Sequence, residues 1–138
     1  KGEISLKSGE TKNKYIAWYD RRAGPYNPSP LVYGDEFYTL FDFGFLGCRN
    51  AKTGEVHYDK ERINPEKATG FTASPWAYRG HVFALSEGGD TFVFKAGKEY
   101  KLVRVNHTGG MSMANPALVG DRLLLRNQTH LFSIRDKN

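Results

Sequence analysis

The side chains that could carry catalysis or bind a metal are scattered through this sequence. The four histidines are His57, His81, His107 and His130. No His-x-His, His-Glu-x-x-His or Cys-x-x-Cys spacing brings ligands together locally, as a zinc site built on one element would require. The carboxylates of Asp42, Glu87 and Asp90 fall near similar turns, where acids are ordinarily solvated. The sequence therefore predicts no metal site, no cofactor and no catalytic residue.

Cys48 is the single cysteine of the chain, which excludes an internal disulfide. A reactive thiol needs an electropositive neighbourhood. Arg49 is adjacent in sequence, but side chains alternate along a strand and its cation should point to the opposite face. We expect Cys48 to be a small buried packing residue that a thiol probe labels slowly.

Composition limits the kinds of partner. The formal net charge is +5, from 20 Lys and Arg against 15 Asp and Glu, a modest excess. Binding of nucleic acid would require a continuous basic face with aromatic stacking side chains, which the sequence lacks. No apolar run approaches the 18 or so residues of a membrane span. We predict no nucleic-acid partner and no membrane span.

The sequence predicts that short strands position these residues. Fifteen Gly and six Pro stand between short runs rich in aromatic and β-branched residues, a pattern typical of an all-β chain. Three segments, 28–40, 73–85 and 114–125, repeat one pattern, in which a proline precedes an apolar run, a glycine turn and a second apolar run. The prolines, Pro30, Pro75 and Pro116, lie 45 and 41 residues apart. A period of about 40 to 45 residues with several strands is typical of propeller blades.

The repeats predict one domain, residues 1–138, built as a β-propeller segment of about three four-stranded blades. Residues 1–26, with extended runs at 3–7 and 15–19, are expected to end a preceding blade. Two blades are expected at 27–68 and 69–110, and at 111–138 a last blade that lacks its outer strand. Closed propellers commonly complete the last blade with a strand from the far end of the chain, so we expect Asn138 to lie near the natural C-terminus. A closed β-sandwich is the alternative fold.

The turn over residues 50–58 resembles the docking motif of the pyrroloquinoline-quinone-like (PQQ-like) β-propeller repeat proteins. In that motif an Ala, an Asp, a Thr-Gly turn and a Trp lock neighbouring blades together. Cys48, Asn50 and Tyr58 stand where the motif usually has Ala, Asp and Trp. The residues assigned to the structural repeat are Pro30, Asn50, Ala51, Thr53, Gly54, Tyr58, Pro75, Trp76 and Pro116. The stretch from Gly24 to Val93 is similar to the last blades of secreted bacterial proteins of that superfamily, and the resemblance covers nearly the whole chain.

The resemblance implies a propeller of about six to eight blades, of which this chain holds three, and an extracytoplasmic location, periplasmic or secreted. We predict a non-enzymatic binding or assembly scaffold whose partner is the remaining blades, another protein chain or a second copy. The alternative function is a fragment of a quinoprotein oxidoreductase. Such an enzyme would need an aromatic platform, a Ca²⁺ cluster and an Arg facing the quinone.

Three blades taken from a ring leave two sheet faces uncovered. We expect apolar residues such as Leu31, Tyr33, Leu118 and Leu123 on these faces. At about 25 cal/mol per Å², several hundred Å² of uncovered apolar surface represents roughly 10 kcal/mol of unrealised burial, comparable to the stability of a small domain. The isolated chain is therefore expected to need a partner.

Overall fold

A computed structural model describes residues 4–64, 66–67 and 69–135, which contain three antiparallel sheets. The first sheet consists of β1 (Leu31–Tyr33), β2 (Glu36–Phe41), β3 (Phe45–Asn50) and β4 (Val56–Arg62). The second consists of β5 (Trp76–Tyr78), β6 (His81–Leu85), β7 (Asp90–Lys95) and β8 (Leu102–His107). The third consists of β9 (Ala117–Val119), β10 (Arg122–Arg126) and β11 (Leu131–Arg135). The described residues form no helix, and so none that could cross a membrane.

Each sheet is a meander in which consecutive strands are neighbours. The prediction of an all-β chain with three blade-like sheets is confirmed, and the closed sandwich is not the fold that forms. Pro30, Pro75 and Pro116 immediately precede β1, β5 and β9, where a residue without an amide hydrogen costs no ladder hydrogen bond. The boundaries proposed for the individual blades remain predictions.

The hairpin between β5 and β6 shows how the sequence specifies these turns. Tyr78 pairs with His81, so that Arg79 and Gly80 alone form the loop. Both loop residues have positive φ, 46° and 75°, as a type I′ turn requires. Glycine meets this demand without steric cost. The turn closes β5 onto β6 and fixes which side chains share a face.

The main core lies between the first and second sheets. The strand residues buried in it are Tyr38, Leu40, Leu46, Cys48, Tyr58, Val82, Ala84, Phe92 and Phe94. Alternation along the strands directs these side chains to the shared face. A second, smaller cluster joins the second and third sheets and comprises Ala73, Leu85 and Leu125, with Trp76 and Phe132 packed against it. Much less buried apolar surface therefore holds the third sheet to the second than holds the first two sheets together.

The apolar side chains of β1, β9 and β10 do not point where the sequence predicted. Leu31 and Tyr33 pack against the main core, and Leu118 and Leu123 line a groove between the second and third sheets. The expectation that these four residues lie on uncovered faces is wrong. Periodicity gives two alternating sets of side chains but does not say which set meets the neighbouring sheet.

The N-terminal residues form no strand between residues 4 and 30. The extended runs expected at 3–7 and 15–19 do not become strands in the described residues, and Glu3 itself lies outside them. An extended run becomes a strand only when a neighbour accepts and donates its backbone hydrogen bonds. The described chain supplies no such neighbour to these runs.

Candidate assembly surface

The titratable side chains singled out from the sequence lie apart and act locally. Among the residues described, no three His, Cys, Asp or Glu side chains gather where they could hold a metal ion. His107 Nδ1 lies 2.7 Å from Asp90 Oδ1, and the Thr72 hydroxyl donates to Glu87 at 2.7 Å. Asp90 thus joins two strands, β7 and β8, and Glu87 joins two connecting segments.

Asp42 fastens the segment that leads into the first sheet. Its carboxylate accepts hydrogen bonds from the amides of Tyr26 and Asn27, at 2.7 and 2.9 Å. Burial opposes ionisation of this carboxyl group, but the two amides outweigh it and hold the pKa of Asp42 below its ordinary value. The charged form of Asp42 is thus part of the folded structure.

Cys48 is fully buried in the main core, as predicted. Burial, with a smaller contribution from the negative charge of Glu36, raises the pKa of its thiol to about 11. Arg49 lies on the opposite face, where its guanidinium is 2.7 Å from Asp20. The thiol is therefore protonated at neutral pH, and it contacts the carbonyl of Gly97 at 3.7 Å.

The predicted docking turn is built around Asn50. Its side-chain oxygen accepts hydrogen bonds from the amides of Lys52 and Thr53, both at 3.0 Å, and its carbonyl accepts one from Gly54 at 2.9 Å. This arrangement lets an Asn do what an Asp does in such a turn. Asn50 therefore organises the turn over residues 51–54.

Trp18 covers this turn, a contact that the sequence reasoning missed. The indole Nε1 donates to the carbonyl of Ala51 at 2.9 Å, and the ring meets Phe37 edge-on with centroids 5.4 Å apart. Trp18 precedes Tyr58, the residue assigned to the Trp position of the motif, by 40 residues. That spacing matches the repeat period and could have revealed the contact.

The equivalent turn of the second sheet is covered by side chains of the first sheet. The Gly97 amide donates to the Tyr38 hydroxyl at 2.7 Å, next to the Cys48 contact. Tyr58 belongs to the same buried cluster, with Ala96 packed against it, and it meets Tyr100 edge-on at 5.7 Å. Each outer turn is therefore covered by side chains that precede it in the chain by one repeat.

A hydrogen-bond relay links the starts of the inner strands β1, β5 and β9. The residues directly before the three repeat prolines are Ser29, Ser74 and Asn115. The Ser29 amide donates to the Ser74 hydroxyl at 2.8 Å, and the Ser74 amide donates to Asn115 Oδ1 at 2.7 Å. Within the described chain no hydrogen bond uses the Asn115 amide or the Ser29 hydroxyl. The relay thus ends in a donor on one side and an acceptor on the other.

The connecting segments repeat a second set of hydrogen bonds. The amides of Phe71 and Ser112 donate to the carbonyls of Asp42 and Glu87, at 2.9 and 3.0 Å. The next position in this series is Gln128, 41 residues after Glu87. Its carbonyl meets no amide among the residues that the structure describes. The third sheet therefore lacks the connection that each of the first two sheets makes to the segment leading into the next.

The junction between the second and third sheets contains a groove of about 310 Å³. Its apolar lining comes from Trp76, Tyr78, Phe83, Leu118, Leu123 and Ile134. Trp76 and Phe83 stack there with ring centroids 5.3 Å apart. At the first junction, by contrast, Tyr33 accepts a hydrogen bond from the Gly80 amide at 3.0 Å. The second junction is therefore less fully closed than the first.

The other face of the third sheet meets no described residue of the neighbouring sheets, and we call it the free face. Strand alternation places Arg122, Arg126 and Arg135 on it, because Leu123, Leu125, Phe132 and Ile134 point toward the second sheet. Arg122 and Arg135 also line the groove, and the Arg122 guanidinium lies 3.9 Å from the Asp121 carboxylate. The residues of the free face are Ala117, Val119, Arg122, Leu124, Arg126, Leu131, Ser133 and Arg135. Leu131 is 74% exposed and Val119 is 56% exposed. The free face is a mixed apolar and cationic surface of the kind that proteins bind.

No family model matches this chain, and no curated protein is significantly similar to it. Among solved structures, BamB from Moraxella catarrhalis matches with a TM-score of 0.58 at 15% sequence identity. The match covers 71% of this chain and 28% of that one. The fold is that of a β-propeller. In a propeller β1, β5 and β9 are the inner strands of three successive blades, and the chain spans only a minor part of the length of the propeller that it resembles.

Proposed function

We propose that this chain is a segment of a PQQ-like β-propeller that acts as a non-enzymatic binding or assembly scaffold outside the cytoplasm. Its partner is the remaining blades of the propeller or another protein chain. The observation that carries the proposal is the free face of the third sheet, with its exposed Val119 and Leu131. Burial of such a face against a neighbour is what holds the first two sheets together.

Two backbone groups beside the third sheet, which have no hydrogen-bond partner among the described residues, support the same proposal. The Asn115 amide and the Gln128 carbonyl occupy positions whose equivalents in the preceding repeats are hydrogen-bonded across a sheet junction. A partner that hydrogen-bonds to such groups in place of water stabilises the complex, provided that the geometry is fixed beforehand. A further blade would supply both groups with partners.

The roles of the acids and histidines favour a structural task over catalysis. Asp42 and Glu87 each hold a connecting segment through a short hydrogen bond, Asp90 pairs with His107 across two strands, and Cys48 fills the core. The competing function, a quinoprotein oxidoreductase, is tested by adding quinone and Ca²⁺ to the chain and measuring dye reduction with simple alcohols and sugars. Robust turnover would contradict the non-enzymatic role.

Partner dependence is tested on the isolated chain by sedimentation, thermal unfolding and amide hydrogen exchange. We expect amides of β10 and β11 to exchange faster than those of β6 and β7, because fewer buried contacts hold the third sheet. A stable, sharply melting monomer at micromolar concentration, with equal protection in all three sheets, would contradict the proposal.

Fractionation of the source cells tests the proposed location outside the cytoplasm. Recovery of the protein in the cytoplasmic fraction would refute that part of the proposal.

A further inference from the structure

The outer edge of the second sheet differs from that of the first in its charges and in its unused backbone amides. We propose that this edge, formed by the turn over residues 95–101 and by β8, binds an extended acidic segment of a partner protein. The inference rests on the proposed function, because it names the chemistry of a partner for the scaffold. Blades of a propeller stack through the faces of their sheets, so the number of blades in the ring does not decide what covers this edge.

The turn over residues 95–101 lacks the internal acceptor that organises the equivalent turn of the first sheet. The Asn50 amide closes the first turn by donating to the Glu55 carbonyl at 2.8 Å. The Lys95 amide closes the second by donating to the Lys101 carbonyl at 3.0 Å, so Lys95 stands where the first sheet has Asn50. The Asn50 side chain accepts hydrogen bonds from two amides of its turn, whereas the ammonium group of Lys95 can only donate. The second turn therefore has no side-chain acceptor of its own for these amides.

Three consecutive amides of the second turn, those of Lys98, Glu99 and Tyr100, make no hydrogen bond within the described chain. The turn lines an open cavity of about 350 Å³, which residues 95–99 and 101 surround. Glu99 belongs to the same lining, but its carboxylate accepts no hydrogen bond from the described residues. Backbone amides flanked by ammonium groups favour an incoming carboxylate, which would take the role that the Asn50 side chain fills in the first turn.

Positive charge is concentrated on this edge. Residues 91–106 contain one acid, Glu99, and four cations, Lys95, Lys98, Lys101 and Arg104. The corresponding residues of the first sheet, 46–61, contain three cations and three acids. Arg49 and Lys52 of that stretch form ion pairs, whereas none of the four cations of the second stretch does so among the residues described. An acidic partner is therefore favoured.

Acids of the first sheet reduce this charge without cancelling it. Asp35 interacts electrostatically with Lys98, but its closer partner is Lys52 at 2.8 Å. Glu36 and Glu61 remain, each with its charge near the junction of the two sheets. The four cations of the second sheet exceed its one acid by three charges, so these two carboxylates leave the edge cationic.

β8 offers the partner a strand edge. It is the outermost strand of its sheet, and five of its six residues are exposed, including Leu102 and Val103 at 40% and 52%. Alternate residues of such a strand direct N–H and C=O groups outward, where an extended segment can pair with them. The cations beside β8 repel a second β8 edge and so select against pairing of like with like.

β4, the outermost strand of the first sheet, is less suited to such pairing. Asp59, Lys60, Glu61 and Arg62 follow one another in it, and Lys60 has a φ of +50°. Successive charges and backbone irregularity are means by which proteins block strand edges. Strand addition is therefore expected at β8 and not at β4.

Synthetic peptides of about ten residues, long enough to pair along β8, test the site when added to the intact protein at neutral pH. A peptide of alternating Val and Glu is expected to bind about tenfold more tightly than one of alternating Val and Lys. The Val-Glu peptide N-methylated at every residue keeps its carboxylates but cannot donate strand hydrogen bonds, so it should bind about tenfold more weakly than the unmodified peptide. Binding of the Val-Glu peptide should also slow amide exchange at residues 98–100 and in β8.

Variants of the turn and of β8 locate the site. Arg104→Glu should weaken binding of the Val-Glu peptide about tenfold, whereas Lys12→Glu, the same charge change in the exposed N-terminal segment, should not. Lys95→Asn and Lys95→Gln remove the same charge, but only the shorter Asn side chain can accept from the turn amides as Asn50 does. Lys95→Asn is therefore expected to weaken binding more than Lys95→Gln. Unchanged amide exchange in β6 and β7 shows that each variant is folded.

Affinity for the Val-Lys peptide or for the N-methylated peptide equal to that for the Val-Glu peptide overturns the acidic segment as occupant. So does tighter binding of an oligothymidylate of the same length, or amide exchange at residues 98–100 that the Val-Glu peptide leaves unchanged. These outcomes overturn only this inference, because the proposed function is tested separately by the exchange of the third sheet. An evenly protected third sheet in a stable monomer overturns the proposed function instead.

Discussion

The indole ring of Trp18 lies directly over Gly54, so close that a Cβ at that glycine would stand 2.7 Å from the ring. Gly54 also has a φ of +74°. Two independent constraints therefore select glycine at this position, one from the backbone of the turn and one from the side chain that covers it. They can be separated by experiment.

Gly54→Ala should destabilise the chain more than Gly80→Ala. Gly80 has nearly the same φ, +75°, but a Cβ added there would meet nothing within 4 Å. Left-handed backbone costs an L residue about 1 to 2 kcal/mol, and only Gly54→Ala adds a steric conflict with Trp18. Denaturant unfolding measures the difference, and in a Trp18→Ala background the two glycine substitutions should cost the same. Equal costs in the wild-type background would show that Trp18 does not cover the turn in solution.

Ser74→Ala should cost about 1 kcal/mol of unfolding free energy, the usual net value of one hydrogen bond. It removes the hydroxyl that accepts from the Ser29 amide and leaves the backbone bond to Asn115 in place. Ser8→Ala is the matched control, because Ser8 is exposed in the N-terminal segment. Amide exchange at Ser29 should accelerate in Ser74→Ala and not in the control. An unchanged exchange rate would contradict the relay.

Asp42 should make stability depend on pH in the acid range. Its pKa is lower in the folded chain than the ordinary value of 3.8, so the unfolded chain binds the proton more readily. The contribution of Asp42 is therefore complete above pH 3.8 and is lost as pH falls through the folded pKa. Asp42→Asn should flatten the acid limb of the stability curve, and Glu99→Gln should not. An identical acid limb in Asp42→Asn and wild type would refute this role.

Cys48 should react slowly with a thiol probe in the native chain at neutral pH. Its side chain is fully buried and its pKa is raised to about 11, so little thiolate forms and little of it is reached. Labelling should become rapid in denaturant. A Lys98→Cys variant provides an exposed thiol for comparison, and equal rates at the two positions would contradict the burial of Cys48.

The repeat prolines show which parts of the fold could be predicted from sequence. Pro30, Pro75 and Pro116 begin strands for a local reason, the absence of an amide hydrogen, and local reasons can be recognised without a structure. The residues before them were not recognised as a relay. Ser29 and Ser74 meet across 45 residues of chain, and their contact depends on how two sheets stack.

Leu31 and Trp18 show why the surfaces were harder to predict. The alternation in β1 is visible in the sequence, but only the stacking of the sheets decides that Leu31 faces the core. The run around Trp18 looks like a strand and has strand propensity, yet it forms none, because strand structure belongs to a pair of segments and not to one. Both differences arise from neighbours that a single sequence does not reveal.

The groove beside Trp76 has a consequence for the life of the protein in the cell. The third sheet is fastened by a small cluster, so local opening at that end costs less free energy than global unfolding. Such opening exposes residues 108–116 and the buried Leu125 to proteases, which cleave transiently opened segments. A chain without its partner would then be degraded at the third sheet, while an assembled chain would be spared. Quality control of the assembly would thus follow from how weakly the third sheet is attached.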